Sequence, residues 1–274
     1  MILPYRCVFL LIGALAASPG ATGAADNPFA PDTAEPGSVD AILKATTDAR
    51  YLPPSVSYVP ASATIPSPQK VLGHLVGAPG ELSDTATVIK YFRALDAATD
   101  RVQVATLGRS EEGREIILAA IGDATLLKQL DQLKGDLAAL ADPRRIDEAQ
   151  AVHLIARDHP IYYLNGGLHS PETGSPEMLM ELAYRLAVSE QPAIKRIRQN
   201  VVVLINPVSE PDGRDRVVQW FYRHLKGKTQ WDELAPYGVI SPPYWGHYIF
   251  HDNNRDGIQL TAALTAAVEK MYWE

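Results

Sequence analysis

The chain holds one cysteine, Cys7, close to its start. With one thiol there is no internal disulfide and no thiolate cluster for a metal. Basic charge is also scarce: 25 Lys and Arg stand against 32 Asp and Glu, for a net charge of −7. The electrostatic footprint of a nucleic-acid or polybasic membrane partner is therefore missing, and neither is expected. A long apolar run is missing as well. The stretch from Cys7 to Ala17 falls short of the roughly 20 residues that span a bilayer, so no membrane span is expected. Internal repeats, collagen-like triplets and coiled-coil heptads are absent. What remains is 274 residues with 46% apolar side chains, enough for one sizeable core, with or without a small appendage.

The N-terminus has an order of its own. Arg6 precedes the Cys7–Ala17 run, and small residues follow at Ser18, Gly20, Ala21, Gly23 and Ala24. A positive end, a short apolar stretch and a small-residue zone predict a signal peptide over residues 1–24. The cleavage context is Thr22-Gly23-Ala24, with Ala14-Leu15-Ala16 as the other candidate, and a helix retained in the fold as the alternative reading. The mature protein is then secreted or periplasmic and carries no cysteine. Residues 25–68 are rich in proline, as in Tyr51-Leu52-Pro53-Pro54 and Ile65-Pro66-Ser67-Pro68. That density argues against regular helix or interior strand and predicts an extended linker or a surface-hugging arm.

Past Pro68 the pattern changes. Val88, Ile89, Phe92 and Leu95 give an amphipathic helix over residues 85–98. Residues 102–107 and 115–121 read as strands of a hairpin around a long turn. Helical stretches follow at 124–140 and 145–154, separated by Asp142-Pro143. Ile161–Leu164 is a short buried strand that ends in Asn165-Gly166-Gly167, and residues 177–188 form an amphipathic helix. Val201–Ile205 is a second buried strand, halted by Asn206-Pro207, and residues 257–273 are a last helical stretch. A hairpin followed by alternating strands and helices predicts an α/β fold, a mixed sheet with helices on both faces. The last helix has no closing Gly, Pro or polar tail, which suggests a domain that is incomplete at its C-terminal side.

Three constellations carry chemistry. His169-Ser170-Pro171-Glu172 follows a strand end and a glycine turn, where catalytic groups collect in helix-covered sheets. Imidazole and carboxylate three positions apart on a turn are donors that zinc accepts; a polar loop opening a helix is the plain alternative. His251-Asp252-Asn253-Asn254-Arg255-Asp256 is dense in short polar side chains. An Asn amide beside an Arg fork can grip a carboxylate, though a solvated turn has the same composition. Asn206-Pro207-Val208-Ser209-Glu210-Pro211-Asp212-Gly213 leaves a buried strand directly and reads mostly as a turn.

In order, these segments resemble the M14 (carboxypeptidase A-like) zinc carboxypeptidases. Gly108-Arg109-Ser110 with Glu112-Gly113-Arg114 resembles the hairpin that opens the family's catalytic domain. Gly166-Gly167-Leu168-His169-Ser170-Pro171-Glu172 resembles the loop that supplies its first two zinc ligands. Pro211-Asp212-Gly213 resembles its Asn-Pro-Asp-Gly turn, and Asp252-Asn253-Asn254-Arg255 its Asp-x-Asn-Arg element. Ser241-Pro242-Pro243 before His251–Asp256 resembles a subgroup of large bacterial secreted members. The likeness covers residues 68–274, so residues 69–274 are expected to be a partial peptidase domain of this kind.

The resemblance implies one zinc ion held by His169 and Glu172, with Asn254 and Arg255 binding the free C-terminal carboxylate of a peptide or protein substrate. It implies metal-assisted hydrolysis of the last peptide bond. Arg223 is the candidate for the family's oxyanion-stabilising arginine. There are departures. Pro171 stands where many relatives carry arginine, and Glu210 replaces the asparagine before Pro-Asp-Gly. The family's third ligand, a histidine, its substrate-capping tyrosine and its general-base glutamate follow the Asp-x-Asn-Arg element. Residues 257–274 supply none of them: Glu269 and Glu274 read as solvated. His247 and His251 are four apart, but Pro242-Pro243 and Tyr244-Trp245-Gly246 argue against a helix that would pair them, and the remaining histidines have no partner at useful spacing. An amidase or cell-wall peptide hydrolase on the same fold, or a binding module without zinc, are the alternatives.

Overall fold

The computed structural model describes residues 27–228 and 243–272. The expected signal peptide, Cys7, Ser241-Pro242, Trp273 and Glu274 lie outside them. Four strands form one mixed sheet in the order β1-β2-β4-β3. β1 (Val102–Arg109) and β2 (Glu115–Ile121) make the antiparallel hairpin, with Val102 opposite Ile121 and a register shift between Thr106 and Gly108. β4 (Val202–Asn206) runs antiparallel to β2, and β3 (Ile161–Asn165) parallel to β4, so that Asn165 and Asn206 end side by side. Both strands stop at asparagine and open into loops on the same edge.

Alternation on β2 assigns the two faces. Ile117, Ala119 and Ile121 point into the main core, against Val88, Tyr91, Phe92 and Leu95 of α3 (Thr85–Ala98) and Leu179, Met180, Ala183 and Tyr184 of α7 (Gly174–Val188). Ile116 and Ala120 belong to the opposite face. Ile116 packs under Leu264, Ala267 and Val268 of α10 (Ala263–Lys270), and Ala120 under Leu126 and Leu127 of α4 (Ala124–Leu127). Helices thus cover both faces, as the alternating order of elements predicts. Among the described residues no helix is long and apolar enough to cross a membrane.

Several boundaries differ from the sequence reading. The proline-rich segment contains a helix after all, α1 (Ser38–Ala45), because no proline falls between Pro36 and Pro53. The segment is also tied down: Asp32 accepts from Tyr58 Oη and Ser189 Oγ, and Tyr184 Oη donates to Pro60 O at 2.7 Å. A short α2 (Pro68–Leu72) follows. The single helix expected over 124–140 is two, α4 and α5 (Leu130–Leu140), because Gln129 at φ −103°, ψ 9° leaves helical geometry. α6 (Glu148–Arg157) starts later than expected, at an Asp147–Gln150 capping box. α8 (Pro192–Asn200) is a helix that the pattern did not reveal. The Pro-Asp-Gly segment is not a simple turn: it is the first turn of α9 (Pro211–His224), with Pro211 in the N-terminal position it tolerates and Glu210 as the cap. The last helix begins at Ala263 rather than 257, since Asp256 collects Thr261 N and Ala262 N and fixes a non-helical turn there.

Candidate metal centre

The strand-end loop is shaped by its glycines and by the neighbouring loop. Gly167 sits at φ +63°, a left-handed conformation that a side chain would strain. Ser209 N donates to Gly166 O at 2.9 Å and Glu210 N to Gly167 O at 3.1 Å, so the loop after β3 is fastened to the loop after β4. A tight turn, Glu172 N to His169 O at 3.0 Å, then brings the two candidate ligands to one side. His169 Nδ1 lies 3.2 Å from Glu172 Oε1.

That separation can be tested against zinc. Two donors each about 2.1 Å from a tetrahedral zinc ion stand about 3.4 Å apart. The pair therefore fits two of the ligands. The carboxylate end is open, with the Glu172 side chain 69% exposed, whereas His169 is mostly enclosed. Among the described residues no group of three or more His, Cys, Asp or Glu side chains is placed to hold an ion.

The second ring nitrogen of His169 is engaged from another element. Nε2 lies 3.2 Å from Asp252 Oδ1. Asp252 opens the short turn Asn253–Arg255 and also accepts from Asn254 N at 2.9 Å. Desolvation raises the Asp252 carboxyl, but the Asn254 N–H and His169 outweigh it and hold it below the usual carboxylate range. Asn253 is buried and donates from Nδ2 to Leu168 O at 2.8 Å, pinning this turn to the His169 loop. Tyr244 and Trp245 complete the enclosure, each with its ring centroid 5.7 Å from that of His169. The sequence reading missed both aromatics and the pinning role of Asn253; the only signal for them was proximity in sequence to the polar turn.

The remaining candidates sort differently. Asn254 and Arg255 are exposed on the same turn as Asp252, and Arg255 Nη2 stands 4.0 Å from Asp252 Oδ2. Arg223 lines a polar cavity of about 760 Å³ with His74, Asp84 and Asp215, between α2, α3 and α9. Among the described residues no hydrogen bond joins it to His169 or Glu172. His247 pairs with Glu112, its Nδ1 2.6 Å from Oε1, and His251 approaches Asp256 at 3.5 Å, so the two histidines serve separate carboxylates.

Two of the sequence segments meet each other rather than the His169 loop. Ser110 Oγ donates to Asp212 Oδ1 at 2.6 Å, Arg114 Nη1 to the same oxygen at 2.8 Å, and Glu112 N to Asp212 Oδ2 at 3.1 Å. Arg114 Nε also reaches Asp215 at 2.6 Å. Burial works against charge on Glu112, yet the His247 N–H and Arg114 bring its carboxyl down to about 2. The hairpin turn is thereby locked onto the start of α9, a structural task.

The family model for zinc carboxypeptidases of peptidase family M14 matches residues 88–237. The chain belongs to that family. The matched stretch includes His169, Glu172, Glu210 and Arg223, and ends before Asp252. No curated protein matches the chain. Among solved structures it is similar to carboxypeptidase A from Helicoverpa armigera, at 18% identity and a TM-score of 0.35 over 54% of this chain and 31% of that one. It is similar to a metallo-carboxypeptidase from Burkholderia cenocepacia, at 18% identity and 0.33 over 48% and 28%. It is also similar to thrombin activatable fibrinolysis inhibitor, at 12% identity and 0.38 over 66% and 33%. The chain spans about a third of the length of these proteins.

Proposed function

We propose that the protein is a zinc-dependent metallocarboxypeptidase that hydrolyses C-terminal peptide bonds outside the cytoplasm. The observation that carries the reading is the two-sided engagement of His169, with Glu172 at one ring nitrogen and Asp252 at the other. Metal-ligating histidines characteristically donate their second N–H to a carboxylate, which fixes the tautomer and the ring plane. In this reading His169 Nδ1 and Glu172 are ligands, and Asp252 accepts a hydrogen bond from the Nε2–H of His169.

When bound there, zinc supplies Lewis acidity and a water of lowered pKa. Asn254 and Arg255 bind the substrate's terminal carboxylate, with the guanidinium able to meet both oxygens, and so place the last peptide bond beside the ligand loop. Tyr244 and Trp245 shield His169 and limit water around it. In the family that the chain resembles, the third ligand, a histidine, and the general base, a glutamate, follow the Asp-x-Asn-Arg element; residues 256–274 contain no histidine, and Glu269 reads as solvated. Arg223 is assigned the oxyanion role by resemblance alone, and its side chain lines the cavity between α2, α3 and α9.

The test is release of a single C-terminal amino acid from a peptide by the whole protein. The activity is expected to need zinc and to be lost in both His169→Ala and Glu172→Ala. Retention in either variant would refute the ligand assignment. Zinc-independent peptide binding without cleavage would favour the binding-module alternative.

A further inference from the structure

Glu210 is a carboxylate with no exposed surface, set at the junction of the two loops that build the candidate centre. It is the residue at which this chain departs from the family's asparagine. Its Oε2 accepts two short hydrogen bonds, from Ser170 Oγ at 2.5 Å and from Gly213 N at 2.6 Å. Its Oε1 is buried with no partner among the described residues. Ser170 is itself only 2% exposed and lies between His169 and Glu172 in sequence.

The packing around this contact is closed. A Cβ on Gly213 would fall 1.9 Å from Glu210 Oε2 and 2.0 Å from Ser170 Oγ, so only glycine allows the three residues to meet. The first turn of α9, the cap residue and the ligand loop are thus joined at one oxygen. With Ser170 turned inward to that oxygen, His169 before it and Glu172 after Pro171 meet at 3.2 Å on the other side of the loop. The backbone bond from Glu210 N to Gly167 O holds the same loop at its other end.

We infer that Glu210 is a positioning residue for the metal centre, which through Ser170 fixes the loop from which His169 and Glu172 project. The inference rests on the zinc reading above. It predicts an effect on metal affinity in protein that is still folded, which a merely structural cap would not produce.

The experiment is a zinc titration of the full chain against a chelating indicator, with circular dichroism and melting to verify the fold. Ser170→Ala and Glu210→Ala are expected to weaken zinc binding about 10-fold, the low end of what outer residues of metal sites contribute. The double variant is expected to be no weaker than the weaker single variant, because both remove one contact. Glu210→Gln can still accept from Ser170 and Gly213 through its amide oxygen, and should restore affinity close to wild type. If Glu210→Ala fails to fold, Ser170→Ala removes the same bond from the side of the ligand loop and decides the matter. A folded Ser170→Ala or Glu210→Ala protein with wild-type zinc affinity overturns the inference. His169→Ala separates the two levels: loss of zinc binding there with none in the Ser170 and Glu210 variants sinks only the positioning role. Unchanged binding in His169→Ala sinks the zinc reading and the positioning role with it.

Discussion

His169 Nε2 stands 3.2 Å from Asp252 Oδ1, across a sequence gap of 83 residues. The contact joins the loop after β3 to the turn that carries Asn254 and Arg255, and it gives the imidazole a fixed orientation. Replacing Asp252 by Asn keeps an oxygen for the Asn254 N–H and removes the charge. Zinc affinity is expected to fall about 10-fold in Asp252→Asn, within the range seen when carboxylate partners of metal-bound histidines are changed. Competition with a chelator of known affinity reads this out. Equal affinities in the two proteins would mean that Asp252 serves only the local turn.

The buried pair Arg214–Glu177 holds the same region from below. Arg214 Nη2 meets Glu177 Oε1 at 2.8 Å, and Arg214 also donates to Ser83 O and to Thr173 O, one residue past Glu172. Both side chains are almost fully enclosed. Arg214→Met leaves the Glu177 carboxylate buried without its cation, at a cost of about 3–5 kcal/mol. Urea unfolding followed by fluorescence measures it. A change below about 1 kcal/mol would indicate that Glu177 is satisfied by Ser83 alone.

Burial pushes the Glu210 carboxyl from an ordinary 4.5 up to about 7; Asp212 and Glu111 add to the rise, and Ser170 and the Gly213 N–H oppose it. The folded state therefore keeps a proton that the unfolded chain gives up first. Below about pH 4.5 both states are protonated and nothing is lost. Between about pH 4.5 and 7 stability falls as pH rises, and above 7 the deficit is constant, on the order of 3 kcal/mol. Glu210→Gln should flatten this part of the profile. Melting temperatures at pH 5 and pH 8 suffice to check it: the drop between them should be smaller in the variant, and an identical drop would refute the assignment.

Export gives a separate prediction. Arg6, the Cys7–Ala17 run and the small residues that end at Ala24 read as a secretory signal in composition and order. Protein made in a bacterial host is expected in the extracytoplasmic fraction with an N-terminus near Ala25. N-terminal sequencing checks both at once. Cytoplasmic material that retains Met1 would contradict it.

Periodicity carried most of the sheet and its covering. The hairpin, β3, β4 and α3 follow apolar spacing so closely that their bounds shift by two residues at most. The same rule failed where a side chain overrules the pattern. Gln150 with Asp147 moved the start of α6, Asp256 delayed α10, and Glu210 converted a Pro-Asp-Gly turn into the start of α9. At the candidate centre, His169 and Glu172 were legible because both lie on one turn. Asp252 as the partner of His169, Asn253 as the pin and Glu210 as the brace were not, because each acts across 40 residues or more. Spacing along a chain has no access to such contacts.

The last prediction concerns the terminal carboxylate. Arg255 is exposed; its guanidinium donates to Asn254 O at 3.3 Å and stands 4.0 Å from Asp252 Oδ2, both within its own turn. Such an arginine is available to a ligand at little cost in lost internal bonds. If it and Asn254 bind the end of a peptide, a free acid should be cleaved far better than the same peptide with an amidated C-terminus. A charged hydrogen bond is worth about 1.5–3 kcal/mol, so the preference should be about 10- to 100-fold in kcat/KM. Arg255→Lys retains the charge and loses the planar fork, and should keep only part of the preference. Arg255→Met should abolish it while lowering the rate on the free acid toward that on the amide. Equal cleavage of the two peptides by the unaltered protein would rule out carboxylate recognition and move the reading to an amidase or cell-wall peptide hydrolase. A preference that persists in Arg255→Met would place the carboxylate elsewhere, and Arg223 would be the next residue to change.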